Sequence, residues 1–260
     1  MVLKMSDVRC TMKPNLLSYT NIVHFFKYNR FMDDNAIFWE DPLFDNVNIA
    51  EAFNTDYMSL VEWENMLATG WRHNALMFFR VSSQLDDDGK KLDILPLRYQ
   101  LNQFEMSKSQ RKVWRKNQDL TFKLVPLSIS DEMHFMFEQH TQRFKYNVPH
   151  SIFDFVSPIP NKPFPTYQFE VYKLDKLICC TFVDITSHTL SSTYAMFDLE
   201  ESKRSLGIFT MLLEMLYGIS YKKALHYPGY AFLQPSYMDY KKNFSGAEYF
   251  DWLTGNWFKL

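Results

Sequence analysis

A run of basic residues between positions 107 and 119, SKSQRKVWRKNQD, is the clearest sign of chemistry in this sequence. Its five cations are Lys108, Arg111, Lys112, Arg115 and Lys116. Their spacing of i, i+3, i+4, i+7 and i+8 places them on one face of a helix, for which Ser107 is a favourable N-cap. Like charges this close repel one another unless an anion lies against them, and a phosphate backbone is the natural partner. The pattern predicts an RNA-binding helix, with a solvated basic face as the alternative.

A second segment, ESKRSLGIFTMLL at positions 201–213, is typical of a turn that leads into a helix. Backbone amides at a helix start bind anions, and a glycine allows a ligand to approach closely. The segment therefore predicts a phosphate-binding turn, with a plain capped helix as the alternative. Its predicted ligands are Lys203, Arg204, Ser205, Leu206 and Gly207.

A third segment, YPGYAFLQPSYMDYKKNF at positions 227–244, combines lysines with aromatic residues. Lys241 and Lys242 lie close in sequence to Tyr237, Tyr240 and Phe244. Cations interleaved with aromatic rings suit a nucleotide or a stacked base. The alternative is a set of core aromatics beside surface lysines.

Hydrophobic periodicity and turn residues predict the elements that position these segments. Helices are expected over 56–69, 107–120, 130–147, 206–219 and 238–243. Strands are expected over 76–81, 92–97, 167–174, 177–185, 192–197, 224–227 and 230–233. Residues 123–128 are predicted to link two halves, 148–165 to form a proline-rich loop, and Pro228-Gly229 to form a turn.

The composition indicates a densely packed globular protein. The chain has 260 residues, 47% of them hydrophobic and 17% aromatic, with a formal net charge of −2. RNA binding would therefore need a local concentration of positive charge. Cys10, Cys179 and Cys180 form no CxxC pair, which argues for a reducing compartment and against a cysteine-built metal site. No signal peptide or membrane-spanning run is evident, so we expect a soluble, cytoplasmic protein without a metal or membrane contact.

Four phrases together resemble the arginyl-tRNA–protein transferase (N-end-rule aminoacyltransferase) family. They are LATGWRH (67–73), SKSQRKVWRKNQDL (107–120), KRSLGIFTMLLEM (203–215) and YPGYAFLQPSYMDYKKNF (227–244). The resemblance covers roughly residues 56–250. It implies an α+β fold of two packed GNAT-like (acyl-CoA N-acyltransferase-like) lobes with mixed sheets. It also implies an aminoacyl-tRNA that donates arginine or leucine, and a protein or peptide N-terminus that accepts it. The family usually carries cysteine clusters in its N-terminal half, where this chain has only Cys10.

The sequence patterns and the resemblance together suggest a division of the chain and a hypothesis for the roles of its residues. Residues 1–50 are expected to be an extension, 51–125 an N-terminal lobe with the basic helix, and 126–260 a C-terminal GNAT-like lobe. The basic helix, Lys241 and Lys242 would hold the tRNA, and residues 203–207 the donor phosphates. Asp198, before the turn, is the catalytic candidate that would steer the acceptor amine or take its proton, with a turn or cap aspartate as the alternative.

No cofactor is expected beyond the aminoacyl-tRNA co-substrate. Two alternatives remain open at this point. One is an acyl-CoA-dependent GNAT acyltransferase, and the other is a non-catalytic protein that binds tRNA or a protein N-terminus.

Overall fold

The computed structural model describes residues 48–86, 88–144 and 148–260. Most of the predicted N-terminal extension, including Cys10, lies outside the described residues. So do the last three positions of the helix predicted over 130–147.

The described residues form helices α1 (Leu60–Leu67), α2 (Lys108–Lys116), α3 (Asp131–Thr141) and α4 (Leu206–Ser220). Serine side chains cap the first three, at Ser59, Ser107 and Ser130, by accepting first-turn amide hydrogens. Short 3-10 helices lie at Leu101–Gln103, Ile152–Asp154, Leu199–Arg204 and Asp239–Asn243. The basic helix is therefore confirmed at its predicted place, a few residues shorter at its end.

The strands form two sheets. They are β1 (Ala50–Asn54), β2 (Arg72–Asn74), β3 (Met77–Val81), β4 (Ser83–Leu85), β5 (Lys91–Gln100), β6 (Leu120–Pro126), β7 (Thr166–Lys173), β8 (Lys176–Ile185), β9 (Thr189–Phe197), β10 (Leu225–Phe232), β11 (Ala247–Asp251) and β12 (Asn256–Lys259). A three-stranded sheet has the order β1-β3-β2. A nine-stranded sheet has the order β12-β11-β5-β10-β9-β8-β7-β6, with β4 paired to β5. Because β9 and β10 are parallel and the neighbouring pairs antiparallel, the predicted α+β class with a mixed sheet is confirmed.

The core of the large sheet follows from the sequence of β8, KLICCTFVDI. Such a nearly continuous apolar run is typical of a strand buried on both faces. α3 covers one face, where it packs against Cys180 and Phe182. α4 covers the other face, where it packs against Cys179 and Val183, and the inner side of α2 joins it. The side chains of the two adjacent cysteines thus pack on opposite faces of the large sheet.

Two predictions about the chain path are wrong. Residues 123–128 are not a linker, because β6 pairs with β7 at seven positions and ends at Pro126, where the missing amide hydrogen does little harm. Pro228 and Gly229 are not a turn either, because β10 runs straight through them. The register between β10 and β5 shifts between His226 and Gly229, so Pro228 occupies a bulge, where proline is tolerated.

The small sheet and α1 pack onto the large sheet through an aromatic cluster. Trp63, Phe78 and Phe164 meet Tyr227 of β10 there. Strands from both sides of position 125 share the large sheet, since β10 and β11 flank β5. The division into lobes at 125/126 stays a prediction. In the ranges that the structure describes, no helix has the length and apolar character needed to cross a bilayer.

Candidate functional site

The five cations of α2 lie on its exposed face. No carboxylate in the described part of the chain pairs with any of them. Arg111 and Lys116 each donate to a backbone carbonyl, that of Met106 and that of Lys203 respectively. We call Lys108, Arg111, Lys112, Arg115 and Lys116 the basic ridge. It is a local concentration of uncompensated positive charge on a slightly acidic chain.

The inner side of α2 explains why the ridge faces outward. Trp114 packs against Phe209 of α4, with 5.4 Å between ring centroids. The Gln110 amide accepts from Ser107 N at 2.8 Å and donates to Asn243 O at 3.3 Å. These contacts hold the helix by one side, so the charged side stays in solvent.

The end of α2 contacts the turn between β9 and α4. Arg204 forms a bidentate pair with Asp119, at 2.9 and 2.8 Å, and its Nε donates to Glu201 at 2.6 Å. Its hydrogen bonds to Asp119 and Glu201 raise the pKa of Arg204. The structure therefore brings the ridge and the turn together, but it neutralises Arg204 with two carboxylates. A phosphate would have to compete with Asp119 for this guanidinium, and its role as a phosphate ligand stays a prediction.

The remaining predicted phosphate ligands differ in what they present. Lys203 is exposed, whereas the Leu206 side chain is buried in the core, so only its backbone could meet a ligand. Ser205 has a φ of +57° and caps α4 without a side-chain hydrogen bond. A Cβ on Gly207 would meet no atom within 4 Å, so the space beside this glycine is open. Their ligand roles also stay predictions.

Asp198 caps the 3-10 helix before α4. Its carboxylate accepts from Glu200 N at 2.9 Å and from Lys176 Nζ at 2.7 Å. Partial burial raises the pKa of Asp198, but the hydrogen bonds from Lys176 and Glu200 lower it more, so the net pKa lies below its usual value. A carboxylate stabilised in this way is a weak base, and its catalytic role stays a prediction without support from this geometry.

A surface depression of about 580 Å³ lies between the ridge and the turn. Its lining residues are Lys116, Asp119, Lys173, Glu200, Glu201, Lys203 and Arg204. Since four cations face three carboxylates here, the depression itself has little excess charge. The excess positive charge lies on the outer ridge.

The two predicted lysines of the third segment point in different directions. Lys242 Nζ pairs with Asp239 at 2.9 Å near the surface. Lys241 is half-buried, and its Nζ donates to the carbonyl of Tyr230 on β10 at 3.2 Å. The segment lies beside α2, through Asn243, yet the ammonium of Lys241 is turned toward the interior.

In that interior, β9 and β10 are paired over only a small part of their length. The two strands pair only over Leu225–Tyr227 against Thr189–Ser191, in parallel. Beyond this point β10 carries its bulge at Pro228, and β9 carries a second irregularity opposite Phe182 and Val183. The ladder between the two strands is therefore open beyond Tyr227, and residues 192–195 of β9 are half-exposed although β9 lies inside the sheet. We call this opening the strand cleft.

A buried polar network lies on the α4 side of the strand cleft. Glu214 accepts from Thr181 Oγ1 at 2.7 Å and lies 2.9 Å from His226 Nε2. Ser192 Oγ contacts both the Glu214 carboxylate and His226 Nε2. His226 Nδ1 is buried and has no hydrogen-bond partner in the described structure. An imidazole with one free nitrogen, next to a carboxylate, can accept or pass on a proton.

Arg72 lies on the opposite side of the strand cleft. It is buried, and it donates to Ser191 Oγ at 3.2 Å and to Leu97 O at 3.4 Å. Its guanidinium carbon lies 5.4 Å from the Tyr227 ring centroid and 6.0 Å from that of Tyr230. Burial lowers the pKa of Arg72 to about 10. The neighbouring carboxylate Asp184 is held by His73 at 2.7 Å and by Thr166 at 2.9 Å.

The sequence predictions missed Arg72, Glu214 and His226 as site residues. One signal was available: Glu214 is the only charged residue in the apolar helix sequence LGIFTMLLEMLYGIS. Burying such a carboxylate without partners is costly, so a helix of this kind indicates a buried polar network. The two bulges that open the strand cleft left no comparable signal.

Comparison with known proteins places these features in a family context. Residues 129–251 match the family model described as "Arginine-tRNA-protein transferase, C terminus". This range includes β7 to β11, the β9–α4 turn, Glu214, His226 and Lys241.

Curated relatives match a larger share of the chain than the family model does. A protein of Acinetobacter baylyi named aspartate/glutamate leucyltransferase is 30% identical over 172 residues, which are 64% of this chain and 62% of the relative. A protein of the same name from Marinobacter nauticus is 28% identical over 191 residues, covering 72% of this chain and 78% of the relative. The chain thus spans somewhat less than two thirds of the Acinetobacter relative. Among solved structures, L-PGS from Bacillus licheniformis aligns with 59% of this chain and 54% of its own at a TM-score of 0.42 and 11% identity.

Proposed function

We propose, from the membership of residues 129–251 in the C-terminal domain family of the arginine-tRNA-protein transferases, that this chain transfers an amino acid from charged tRNA to a protein N-terminus. The relatives named aspartate/glutamate leucyltransferase support leucine as the amino acid, with arginine as the other candidate, and an acceptor that begins with Asp or Glu. The observation that carries the proposal is the uncompensated basic ridge beside the turn that leads into α4.

The ridge supports an RNA donor. Five exposed cations, which have no carboxylate partner in the part of the chain that the structure describes, would gain stability from phosphates of an acceptor stem. The first amides of α4 and the open space beside Gly207 would take the terminal phosphate or the 3′ adenosine. A small acyl-CoA donor would leave most of the ridge unused.

The strand cleft supports the chemical step. The acceptor amine attacks the ester carbonyl, an amide bond forms, the ester C–O bond breaks, and the tRNA 3′ oxygen leaves as a hydroxyl. The amine loses a proton and the leaving oxygen gains one, so the reaction needs no net proton source. The network of Ser192, His226 and Glu214 would accept the first proton and return it. Because an aminoacyl ester is already activated, positioning supplies most of the rate enhancement.

The proposed location is the cytoplasm. The donor is charged tRNA, and the two described cysteines, Cys179 and Cys180, are free and buried, as expected in a reducing compartment.

A labelled transfer assay tests the proposal. The purified full chain is incubated with radiolabelled leucyl-tRNA or arginyl-tRNA and with peptides that begin with Asp, Glu or Arg. We expect label on the Asp and Glu peptides with at least one donor. Absence of label in every pairing would refute the transferase function, and saturable tRNA binding without transfer would identify a non-catalytic binding protein instead.

A further inference from the structure

Two cations converge on the strand cleft from opposite sides. Arg72 reaches it from β2 and lies over the ring of Tyr230, while Lys241 reaches it from the 3-10 helix near the C-terminus and donates to the carbonyl of the same Tyr230. A Cβ on Gly229, the preceding residue, would lie 3.3 Å from Lys241 Nζ. Because residue 229 has no side chain, the ammonium can lie directly against the strand.

Both cations have unused hydrogen-bond donors. Arg72 uses one hydrogen of each terminal nitrogen, for Ser191 and Leu97, out of five N–H groups. Lys241 uses one of its three N–H groups, for Tyr230. In the described part of the structure, neither forms an ion pair with a carboxylate.

The nearby carboxylates are already engaged elsewhere. Glu214 is held by Thr181, Ser192 and His226, and Asp184 is held by His73 and Thr166. Burial, and then repulsion from Arg72, lowers the pKa of Lys241 to about 8, while Glu214 opposes the shift. Two cations that repel each other in a desolvated place are stabilised when an anion joins them.

We propose that Arg72 and Lys241 form a subsite that binds the side-chain carboxylate of the acceptor's N-terminal Asp or Glu. The inference rests on the proposed function and names the residues that select its acceptor. A guanidinium offers the paired donors that match a carboxylate, and the rings of Tyr227 and Tyr230 lie against the Arg72 guanidinium and restrict its orientation. The tRNA phosphates have the exposed ridge instead, so Lys241 serves the acceptor and not the tRNA contact expected from sequence.

Such a subsite discriminates against neutral isosteres. A peptide that begins with Asn or Gln has the same shape but leaves both cations without their anion. Sites built to pair with a buried polar group reject analogues that lack it much more strongly than apolar pockets reject small size differences. We expect the wild-type chain to prefer Asp over Asn by about 100-fold in kcat/KM.

Equilibrium binding and transfer are measured on the same full-length variants. Fluorescent peptides that differ only in an N-terminal Asp or Asn are titrated against wild type, Lys241→Met and the control Lys259→Met, which removes an exposed lysine of β12. We expect Lys241→Met to reduce the Asp preference to within about threefold and Lys259→Met to keep it. Arg72→Lys, which keeps the charge but loses the paired donors, should give an intermediate preference. Thermal unfolding checks that each variant is folded.

The outcomes separate the subsite from the proposed function. If the Asp preference in binding disappears in Lys241→Met, the subsite stands even when no variant transfers label, in which case the transferase function fails alone. If wild type transfers label and Lys241→Met keeps the Asp preference, the subsite is refuted while the transferase function stands. A raised KM for charged tRNA with an unchanged peptide preference would place Lys241 in the donor site and also refutes the subsite.

Discussion

At the scale of single residues, the groups proposed for proton transfer are buried and hydrogen-bonded. Glu214 and His226 are 1% and 0% exposed, and they share the hydroxyl of Ser192. Burying these groups together costs less than burying either alone, because each supplies the hydrogen bonds of the other. Asp198 has the opposite environment, a surface cap with an ammonium partner, which stabilises its charge and weakens it as a base.

Replacing Glu214 tests the buried network. Glu214→Gln keeps the size of the side chain but removes its negative charge, so His226 loses the partner that would stabilise its imidazolium. We expect kcat for transfer to fall by about 100-fold with little change in the KM for charged tRNA, since general-base contributions are of this size. The measurement is steady-state transfer across pH 6 to 9. A kcat within about twofold of wild type would contradict the assignment.

His140 carries a pH-dependent contribution to stability. It is buried beside Tyr194 and Arg143, and burial, followed by the charge of Arg143, lowers the pKa of His140 to about 4. The unfolded chain, with an ordinary pKa near 6.5, takes up the proton first as pH falls. Stability from this residue is therefore complete above about pH 6.5 and is lost between about pH 6.5 and pH 4.

His140→Gln should flatten this dependence. Between pH 8 and pH 5, we expect wild type to lose about 2 kcal/mol more unfolding free energy than the variant. Urea unfolding at the two pH values measures the difference. The comparison at pH 8, where the imidazole is neutral in both states, isolates the packing cost of the substitution. A wild-type-to-variant difference that is equal at both pH values would contradict the prediction.

At the scale of elements, the two ends of α4 lie in different environments. Its first turn is open to solvent beside Gly207, while its last turn is pressed into the core at Gly218. A Cβ on Gly218 would lie 2.6 Å from Leu101 Cδ1 and 2.8 Å from Leu190 Cδ1. Close packing therefore requires a glycine at position 218, whereas the proposed donor site predicts that Gly207 allows a ligand to approach.

Replacing each of the two glycines by alanine tests ligand approach and close packing separately. Gly207→Ala should keep or raise the unfolding free energy by up to about 1 kcal/mol, because alanine favours helix, yet it should weaken transfer if phosphate approaches there. Gly218→Ala should cost about 1–3 kcal/mol through overpacking. Chemical denaturation and the KM for charged tRNA are the readouts. Transfer by Gly207→Ala at the wild-type KM would remove Gly207 from the donor site.

At the scale of the whole molecule, a formal net charge of −2 conceals a strongly uneven distribution of charge. The ridge is exposed and has no carboxylate partner among the described residues, whereas Lys173, Lys176 and Arg204 around the β9–α4 turn are paired with Glu201, Asp198 and Asp119. Attraction between the chain and RNA should therefore come from α2 and should fall with salt.

Charge reversal on the ridge tests this picture. The triple change of Arg111, Lys112 and Arg115 to Glu should weaken tRNA binding and reduce the slope of log affinity against log salt, which is about −4 for five phosphate contacts. The matched control reverses Lys90, Lys222 and Lys259, three exposed lysines outside the ridge, so the net charge is the same. Equal loss of binding in both triple variants would show a non-specific charge effect and would exclude a specific ridge.

The sequence by itself determined the elements whose signals are local. The i, i+3, i+4 spacing of cations and the Ser107 cap were sufficient to place α2, and its inner residues Gln110 and Trp114 confirm the orientation. The apolar run of β8 and the turn into α4 were equally readable, because burial and capping depend on nearby residues.

Only the tertiary structure decided how the strand cleft is built. Arg72, Lys241 and Glu214 are far apart in the chain, and the structure places them near the point where β9 and β10 stop pairing, after three parallel residue pairs. The end of this pairing depends on bulges opposite two different neighbouring strands, and Pro228-Gly229 reads locally as a turn. Charges brought together by long-range pairing leave no periodic pattern, so the acceptor side of the proposed site could not be predicted from the residues alone.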